Sequence, residues 1–595
     1  MKHLHHTLVR RLRYYQKWHD YQYHQHHHWL VFVLAFLIAA SAVAGVWGQA
    51  INEQDLLVSQ SFGVRIAQAQ ATIPAFPGCE GFGCDTPGGR GGRVIAVTNL
   101  NDSGPGSLRD ALLQTGPRIV VFEVSGTINL NSYLTLRSDN SYVTVAGQTA
   151  PGDGIAIEGA PMWLEGLHDA VFQHVRFRGS AGDDDFRAVA FGSGAHHIVL
   201  DHISSTWASD QMLIVWGDNI NDVTIQWSIF AEGRPHNAAG HFSGGCPHER
   251  MTLHHNYIAH TSYRNHLVDT GRYNFINNVN YNTINWDYHF RQGYKCGQVS
   301  PDVISQYFKE GPDSSRKPAF DLVVATEAGS GPYGSPLSIY LEGNKYVDRN
   351  ENTVYNVNDQ WSMAAARSLA GQPLPTYEKR SQRHSETPLF PVTVHSADAG
   401  KDLVLAQAGP RPLDAVDARL LGDFSDGGGY NTSNIGQFPN LQTRNVLADS
   451  DNDSMPDAWE TSKGLNPNVK DNNGHQLHAV YDNIEVYLAS LTGQDTDDID
   501  PADTGGDPDP AKPQCSDSLD NDADNLKDYP ADPGCTSAND TGEEDLPATG
   551  DPGNGNNPTQ VLKADLNCDN KVGLVDFSMM LYWWGPFKGG FDCGE

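Results

Sequence analysis

Four short apolar runs follow one another in the middle of the chain and predict a strand that repeats. The runs cover residues 197–202, 223–227, 251–256 and 273–278. Together with one earlier run, their equivalent positions recur at intervals of 28, 25, 28 and 22 residues and are Gln173, Asp201, Gln226, His254 and Ile276. One strand per period of this length indicates a stacked architecture.

The segments between these runs are polar and Gly-rich and lack a helical period, which favours stacked coils over βαβ units. Each coil leaves its strand edges open, so the next coil must supply the backbone partners. We therefore predict an all-β fold, a parallel β-helix. A β-propeller is the alternative, although its blades would be about twice as long, with four strands each.

Three polar residues occupy the same place in successive coils: Ser228, Asn256 and Asn278. Asn tolerates the left-handed conformation, and its side chain both donates and accepts hydrogen bonds. We expect these side chains to join neighbouring turns as a ladder. Further along, residues 339–346 have the pattern of one more coil, and residues 361–421 are expected to form loops and one short helix along the β-helix.

Charge is spread unevenly over the 595 residues, a length that predicts several domains. The formal net charge is -32, and residues 449–595 hold 31 acidic and 7 basic residues, which accounts for 24 of the excess negative charges. A segment this acidic repels nucleic acid and attracts divalent cations. Calcium is therefore the first partner to expect.

The first 50 residues have the pattern of an export signal or a membrane anchor. Residues 1–28 are basic and His-rich, and residues 29–48 form a 20-residue run without a charge, which is long enough to span a bilayer. Basic residues before the run keep the N-terminus in the cytoplasm and direct the rest of the chain outside. Residues 42–44 are a candidate signal-peptidase site. Both interpretations place the protein outside the cell, secreted or anchored at its surface, with a linker over residues 51–72.

Eight cysteines in an exported chain are enough for four disulfides. Three pairs are close in sequence and leave a fourth. As hypotheses, the pairs are Cys79–Cys84, Cys515–Cys535, Cys568–Cys593 and Cys246–Cys296.

Several motifs, in order, resemble the pectate lyases of polysaccharide lyase family one. They lie at residues 75–83, 88–93, 98–109, 146–152, 197–210, 253–256 and 408–419. The resemblance covers most of residues 73–440, and we take residues 73–448 as the domain. It implies a right-handed parallel β-helix and β-elimination of polygalacturonate. The Gly-rich run at 88–93 lacks the Gly-Lys-Ser/Thr ending of a phosphate-binding loop.

β-Elimination needs a base for the C5 proton and a positive charge at the C6 carboxylate. Calcium supplies that charge and stabilises the enolate. In the family the base is an arginine eight residues after a His-His-Asn strand, which here is Arg264. Because a free arginine loses its proton only near pH 12.5 or above, we expect activity to rise into alkaline pH. The alternative is that Arg264 only binds a sugar carboxylate through its guanidinium fork.

Calcium ligands should be carboxylates on turns beside the strand that contains Asp201. The resemblance assigns Asp210 to this role and places a further acidic ligand one coil earlier, in the cluster Asp183, Asp184 and Asp185. Within that cluster Asp185 is preferred, and an exposed acidic turn is the alternative. Asp218 or Glu232 is a candidate to complete the site. Asp201 itself lies within a strand, so we expect a structural hydrogen bond there.

The sequence departs from the family pattern near the expected substrate. The Arg-x-Pro-Arg run of many members is replaced by residues 264–267, and a substrate-binding lysine has no counterpart in residues 234–241. Arg234, His236 and His241 are candidates to bind substrate carboxylates or hydroxyls instead. Adjacent histidines on a strand point to opposite faces. We therefore expect the other histidines of this region to stack between coils rather than to bind zinc; they are His196, His197, His202, His254 and His255.

Two other functions remain as alternatives. A β-helix glycoside hydrolase would need two carboxylic groups flanking the scissile bond, one of them protonated. A surface adhesin would bind pectin through the β-helix without cleaving it. Elimination alone produces an unsaturated, ultraviolet-absorbing product, and only the lyase needs Arg264.

The acidic C-terminal region is predicted to contain small calcium modules. Residues 449–460 have the EF-hand spacing, with Ser454 in place of the usual glycine and the Met455 carbonyl at loop position 7. The side-chain ligands expected there are Asp449, Asp451, Asp453, Asp457 and Glu460. This module spans residues 449–492, and residues 481–491 provide a packing helix.

Linkers at residues 493–514 and 546–560 separate two further modules. Residues 515–545 are bracketed by cysteines and contain the candidate ligands Asp520, Asp522, Asp524 and Asp528. Residues 561–595 resemble a single dockerin repeat, with the candidate ligands Asp565, Asn567, Asp569 and Asp576. Dockerins normally have two repeats. A cohesin or cell-surface partner is therefore one interpretation, and a calcium-stabilised stalk is the other.

Overall fold

The computed structural model describes residues 73–494, apart from residues 180–186, 234–239, 243–247, 263, 293–296, 315–317, 325–334, 357, 369–371, 431–435 and 437. For residues 241 and 242 the backbone alone is described. The predicted leader or anchor (1–50), its linker and all modules beyond residue 494 lie outside this part. Within the described residues, no helix is both long and apolar enough to cross a membrane.

Strands dominate the described chain. In order they are β1 (Arg93–Val97), β2 (Arg118–Phe122), β3 (Gly126–Asn129), β4 (Leu134–Arg137), β5 (Val143–Ala146), β6 (Ile155–Glu158), β7 (Met162–Glu165), β8 (His168–Gln173), β9 (Val175–Arg178), β10 (Arg187–Phe191), β11 (His196–Asp201), β12 (Ser204–Thr206), β13 (Gln211–Val215), β14 (Ile220–Gln226), β15 (Ile229–Ala231), β16 (Gly240–Phe242), β17 (His248–His254), β18 (Tyr257–Ala259), β19 (Asn265–Val268), β20 (Gly271–Ile276), β21 (Val279–Tyr281), β22 (Tyr288–Gln292), β23 (Val299–Ile304), β24 (Tyr307–Lys309), β25 (Phe320–Val324), β26 (Leu337–Glu342), β27 (Lys345–Val347), β28 (Ala364–Ala366) and β29 (Tyr377–Lys379).

These strands form three parallel sheets that run the length of the domain. The first sheet has the order β1-β2-β5-β8-β11-β14-β17-β20-β23-β26-β29. The second has the order β3-β6-β9-β12-β15-β18-β21-β24-β27, and the third has the order β4-β7-β10-β13-β16-β19-β22-β25-β28. Three consecutive strands therefore make one coil, with one strand in each sheet. The predicted parallel β-helix is confirmed, and each coil satisfies the open edges of the one before it.

The predicted repeat gives the register of the first sheet. Asp201 pairs with Gln173 on one side and Gln226 on the other. Gln226 pairs with His254, and His254 pairs with Ile276. Intervals of 22 to 28 residues along the chain thus become single steps between neighbouring strands.

The core lies inside the coils, where side chains at equivalent positions stack. Leu200, Ile225, Leu253 and Phe275 pair in register, and all are buried in one apolar cluster with Val303. Burying a side chain of this size stabilises a fold by about 1.5–3 kcal/mol. Because neighbouring coils supply each other's contacts, the core forms only when the coils stack.

The ladder predicted at the corner after the first sheet is present. The backbone N–H of Ser228 donates to Asn256 Oδ1 at 2.9 Å, and Asn256 Nδ2 donates to Asn278 Oδ1 at 2.9 Å. The ladder then continues through Gln306 Oε1 and Asn344 Oδ1, which accept from the backbones of Asn278 and Gln306. These side chains satisfy backbone groups where the coil turns from the first sheet to the second.

Five α-helices lie among the described residues, beside or before the coils. They are α1 (Leu108–Leu112), α2 (Ala397–Gln407), α3 (Ala415–Asp426), α4 (Asp457–Lys463) and α5 (Asn483–Ser490). Residues 361–421 therefore contain α2 and the start of α3 as well as β28 and β29, which is more regular structure than the loops and one short helix expected. Helix α2 shows only a weak apolar pattern in the sequence. Of its three buried residues, Ala397 and Gly400 are small, and only Val404 is large and apolar.

Helix α3 is attached to the second sheet by buried ion pairs. Arg176 and Arg178 at the end of β9 are fully buried and contact the carboxylates of Asp414 and Asp417 at distances of 2.9 to 3.2 Å. Asp414 is also the N-cap of the helix and accepts from the backbone of Asp417. The same two carboxylates thus begin the helix and hold it against the β-helix.

Cysteine pairing is resolved for the one predicted disulfide within the described residues. Cys79 and Cys84 are bonded, and both pack in an apolar cluster with Val171 and Val199 on the outer face of the first sheet. The other six cysteines lie outside the described part, so their pairings stay predictions.

Candidate active site

The predicted catalytic and calcium-binding residues lie immediately before neighbouring strands of the third sheet. Asp210 precedes β13, and Arg264 precedes β19. In the sequence, Asp183, Asp184 and Asp185 precede β10, while Arg234 and His236 precede β16. These five residues lie outside the described part. Because all strands of the sheet are parallel, Asp210 and Arg264 lie at the same end of its strands.

Asp210 and Arg264 are separated by one intervening strand. The sheet order is β13-β16-β19, and strands lie about 4.8 Å apart, so the two backbones are roughly 10 Å apart along the edge. His241 lies within β16 and pairs with Ile214 of β13 and Leu267 of β19. The three predicted positions therefore surround one short stretch of the third sheet.

Asp210 is buried, with 7% of its surface exposed, and its carboxylate is already paired. Arg187 Nη2 lies 2.7 Å from Asp210 Oδ2, and the side chain of Gln211 donates to Asp210 Oδ1. The register explains this contact, because Arg187 pairs with Gln211 across β10 and β13. Within the described residues, Asp210 belongs to no group of three potential metal ligands. A cation at this position would compete with Arg187 for the Asp210 carboxylate.

Arg264 is half-buried and adopts a left-handed backbone conformation, with φ of 55°. Non-glycine residues with such a φ are uncommon in general. In this β-helix they occur at many corners, including His202, His255 and Glu232. The conformation of Arg264 is therefore part of the turn geometry that leads the chain into β19.

The two further candidates for the calcium site lie elsewhere. Asp218 follows β13 and is thus at the opposite end of the strand from Asp210. Glu232 Oε2 accepts from Trp207 Nε1 at 2.9 Å and contacts Arg419 Nη2 of α3 at 2.8 Å. Its carboxylate is part of the attachment of α3.

Asp201 has the structural role expected of it. It is fully buried and accepts from Gln173 Nε2 at 3.0 Å and Gln226 Nε2 at 2.9 Å, and it contacts His202 Nδ1 at 2.7 Å. Burial alone would raise the pKa of Asp201, but His202 and the hydrogen bonds lower it to about 2. The carboxylate therefore stays ionised as the acceptor at the centre of this network.

Three of the five histidines expected to stack between coils do so. His196 lies 4.9 Å from His168, His202 lies 4.8 Å from His174, and His255 lies 4.3 Å from Trp227, measured between ring centroids. The rings of His197 and His254 make edge contacts instead. Ligand atoms of His174, Asp201 and His202 lie within 4.8 Å of one another. However, His174 Nδ1 accepts the backbone N–H of Arg411, which leaves the proton on Nε2. Together with the contacts already made by Asp201, this favours a structural network over a metal site.

A second acidic site lies in the EF-hand-like loop. Carboxylate oxygens of Asp449, Asp451 and Asp453 lie within 4.8 Å of one another, and so do those of Asp453, Glu460 and Asp471. Ser454, which replaces the usual glycine, has a φ of 74°. The loop thus adopts the turn that the pattern requires despite the strain for a residue with a side chain.

Two carboxylates in and near this loop, Asp457 and Asp471, are placed differently from what the EF-hand spacing alone would suggest, and the predicted ligands of the loop stay predictions. The Asp457 carboxylate accepts from the backbone N–H and hydroxyl of Ser450, at 2.7 and 2.8 Å. Asp471, which the EF-hand spacing does not include, approaches the loop, and its N–H donates to Asp453 Oδ2 at 3.1 Å. It follows Glu460 by 11 residues, so no local spacing marks it. The other predicted calcium ligands, from Asp520 to Asp576, lie outside the described part.

No family model matches the chain. The chain is 32% identical over 437 residues to the probable pectate lyase C of Emericella nidulans, covering 72% of this chain and 94% of that protein. It is 32% identical over 452 residues to the probable pectate lyase C of Aspergillus fumigatus, covering 74% and 98%. A solved structure of the thermostable pectate lyase PL 47 matches with a TM-score of 0.40 and 15% identity, covering 58% of this chain and 100% of that one. Similarity at this level over nearly the whole length of the fungal enzymes shows that the chain belongs to the pectate lyase family.

Proposed function

We propose that this chain is an exported, calcium-dependent pectate lyase that cleaves polygalacturonate by β-elimination and releases unsaturated oligogalacturonides. The observation that carries the proposal is the shared edge of the third sheet, where Asp210 and Arg264 flank the same short stretch. Identity to curated pectate lyases extends over this region and supports the same assignment.

In this proposal, Arg264 takes the C5 proton of the galacturonate ring. Asp210 and the acidic residues Asp183, Asp184 and Asp185 would hold calcium, which would supply positive charge at the C6 carboxylate. Arg234, His236 and His241 bind carboxylates or hydroxyls of neighbouring sugars. The separation of roughly 10 Å between the backbones of Asp210 and Arg264 leaves room for a sugar ring between them.

The contact between Arg187 and Asp210 defines an alternative to this mechanism. A guanidinium beside the site supplies positive charge in the position proposed for calcium, without a metal. Calcium binding would require Arg187 to move from Asp210 or to share it. The calcium requirement of the reaction distinguishes the two arrangements, because an enzyme that relies on Arg187 keeps its activity in chelator.

The flanking segments extend the proposal. Residues 1–50 export the chain as a cleaved signal or a membrane anchor, and the EF-hand-like loop binds calcium in a structural role. The single dockerin-like repeat at residues 561–595 serves as a calcium-stabilised stalk or docks to a cohesin or a cell-surface partner. The roles of residues 1–50 and 561–595 rest on the sequence patterns alone.

The experiment is to follow the ultraviolet absorbance of the unsaturated product with polygalacturonate at alkaline pH, with calcium and with chelator. Arg264→Ala and Arg264→Lys are expected to lower the rate by roughly 100-fold or more, since general base catalysis contributes that much. Arg383→Ala is the matched control, because this exposed arginine pairs only with Glu342 on the first sheet among its described ion pairs. It should leave the rate unchanged.

Two results would contradict the proposed lyase activity. New reducing ends without ultraviolet absorbance would indicate a glycoside hydrolase. Retained binding to pectin with neither signal would indicate an adhesin. An Arg264→Ala protein that still produces the absorbance would leave elimination intact and remove Arg264 as the base.

A further inference from the structure

Glu460 is a buried carboxylate without a partner in the described structure. Its relative exposure is 0%, and neither Oε1 nor Oε2 has a hydrogen-bond partner. Isolated buried charges are costly, and native proteins normally pair them or use them to bind metals. An unpartnered carboxylate at this depth therefore calls for a specific ligand.

Glu460 belongs to one of two triplets of carboxylates that share Asp453, and we call the two triplets together the acidic cluster. Its members are Asp449, Asp451, Asp453, Glu460 and Asp471. Asp451 Oδ2 and Asp471 Oδ1 are also buried without a hydrogen-bond partner. The nearby ammonium group of Lys470 donates instead to the carbonyl of Asn452, at 2.6 Å. Four carboxylate oxygens, on Asp451, Glu460 and Asp471, thus have no hydrogen-bond partner. They are available to a cation that binds oxygen ligands.

Backbone hydrogen bonds hold the remaining oxygens of the cluster in place. Asp449 accepts from the backbone N–H groups of Asn452, Asp453 and Ser454, at 2.9 to 3.3 Å. One oxygen of Asp453 accepts from Met455 and the other from Asp471. These hydrogen bonds keep the carboxylates inside the loop although their charges repel one another.

The charges agree with an oxygen-lined cation site, because the clustered carboxylates repel one another. A divalent cation removes this repulsion, and calcium suits a set of five carboxylates because it takes six to eight oxygen ligands in flexible geometry.

We propose that the acidic cluster binds one calcium ion, with Asp471 as a ligand in place of Asp457, and that this ion fixes the module to the first coils of the β-helix. The proposal builds on the calcium-binding role of the loop and is independent of lyase activity. It differs from the EF-hand pattern in drawing a ligand from outside the loop.

The attachment depends on the apolar residue in the middle of the loop. Met455, at loop position 7, is fully buried and packs in one cluster with Ile119, Val121 and Ala146 on the outer face of the first sheet. Tyr487 of α5 belongs to the same cluster. The ion would order the loop on both sides of Met455, so the apolar contact forms with less loss of conformational entropy.

Polar contacts join the same surfaces. Arg90 pairs with Glu485 of α5 at 2.9 Å, and the backbone N–H of Gly91 donates to Asp482 at 2.6 Å. Asn473, two residues after Asp471, donates to the Gly91 carbonyl at 3.2 Å. Ligation of Asp471 therefore positions a segment that contacts the beginning of the β-helix directly.

The test compares calcium binding to the full-length protein and to three variants, Glu460→Gln, Asp471→Asn and Asp457→Asn. Each is freed of metal and titrated with calcium chloride, and the number of ions bound per chain is measured by calorimetry and by metal analysis. We expect Glu460→Gln and Asp471→Asn to bind one ion fewer than the unmodified protein. Asp457→Asn, the matched control, should bind the same number.

Hydrogen exchange tests the attachment. Calcium should slow exchange in residues 118–122 and 483–490 of the unmodified protein and of Asp457→Asn, and not in Glu460→Gln. Without calcium, Glu460→Gln should be at least as well protected as the unmodified protein, because it removes a buried charge while keeping the side-chain shape. A general structural defect would instead lower protection in both conditions.

The outcomes separate the parts of the proposal. If Asp457→Asn loses an ion and Asp471→Asn does not, the loop binds calcium in the EF-hand pattern and the ligand assignment is wrong. If all three variants bind as many ions as the unmodified protein, the loop holds no calcium and both claims fail. If the ion is lost without any change in exchange, the attachment is overturned. Lyase activity is a separate readout that concerns Arg264 and Asp210.

Discussion

Asn256 and Asn278 form the central step of the ladder between coils, with Asn256 Nδ2 donating to Asn278 Oδ1 at 2.9 Å. Both side chains are fully buried. Asn256 Nδ2 also donates to the Ile225 carbonyl, and its Oδ1 accepts the N–H of Ser228. One amide therefore satisfies backbone groups of the preceding coil and the side chain of the next.

Replacing Asn256 by alanine should destabilise the β-helix markedly. It leaves the Ser228 N–H buried without its acceptor and removes one donor from the Ile225 carbonyl. An unsatisfied buried group costs about 1–3 kcal/mol, so we expect the free energy of unfolding to fall by about that amount, measured by urea denaturation. Asn129→Ala is the control, because Asn129 is exposed and should cost less than about 0.5 kcal/mol. Equal midpoints for the two variants would show that the ladder contributes nothing.

Removing the carboxylate of Asp417 should detach α3. Asp417 contacts both Arg176 and Arg178, and all three side chains are buried. Breaking a buried pair by removing one partner costs about 3–5 kcal/mol, because the remaining charge is left uncompensated. Asp417→Ala should therefore lower the thermal midpoint and expose the end of α3 to protease. Asp426→Ala, an exposed residue of the same helix, should change neither.

How much of the fold the sequence predicts depends on strand length. First-sheet strands such as His196–Asp201 and Ile220–Gln226 have six or seven residues and show their pattern clearly. Second-sheet strands such as Ser204–Thr206 and Ile229–Ala231 have three residues, too few to show an alternation. The strand of each coil that lies in the first sheet was therefore predictable. The other two strands are defined by their pairing with neighbouring coils, which no local pattern shows.

For the two sites as well, local sequence motifs predicted some residues, whereas contacts between distant parts of the chain could not be predicted. Arg264 and Asp210 are predicted from the resemblance to the family's motifs, and the sheet order places both before strands of the third sheet. The contact of Arg187 with Asp210 depends on the register between β10 and β13, which no local pattern specifies. Asp471 likewise reaches the acidic cluster only because the chain turns back after α4.

Acid should destabilise the protein well above the range in which carboxylates titrate. Burial lowers the pKa of His248 to about 4, with only a partial offset from its contact with the Gly217 carbonyl. The unfolded chain then binds a proton from about pH 6.5 downward while the folded chain does not, so stability is lost as pH falls from about 6.5 to 4. This one group accounts for up to about 3 kcal/mol.

Urea denaturation between pH 8 and pH 4 measures that loss. Burial also lowers the pKa of His255 to about 2 and of His266 to about 3, so the unmodified protein should lose more than one histidine can explain. His248→Gln keeps a donor for the Gly217 carbonyl and should make the pH dependence shallower by about one proton. An unchanged slope would mean that His248 titrates normally in the folded protein.

Asp210 and Arg187 should affect the calcium requirement of the lyase in opposite directions. Asp210→Asn removes a charged ligand and is expected to raise the calcium concentration for half-maximal activity on the order of 10- to 100-fold. Arg187→Gln removes the cation that contacts Asp210 at 2.7 Å, so calcium should bind more tightly and the half-maximal concentration should fall. Glu460→Gln, which alters the separate acidic cluster, should shift neither the half-maximal concentration nor the maximal rate. If Arg187→Gln instead abolishes activity that persists in chelator, the guanidinium rather than calcium neutralises the substrate carboxylate.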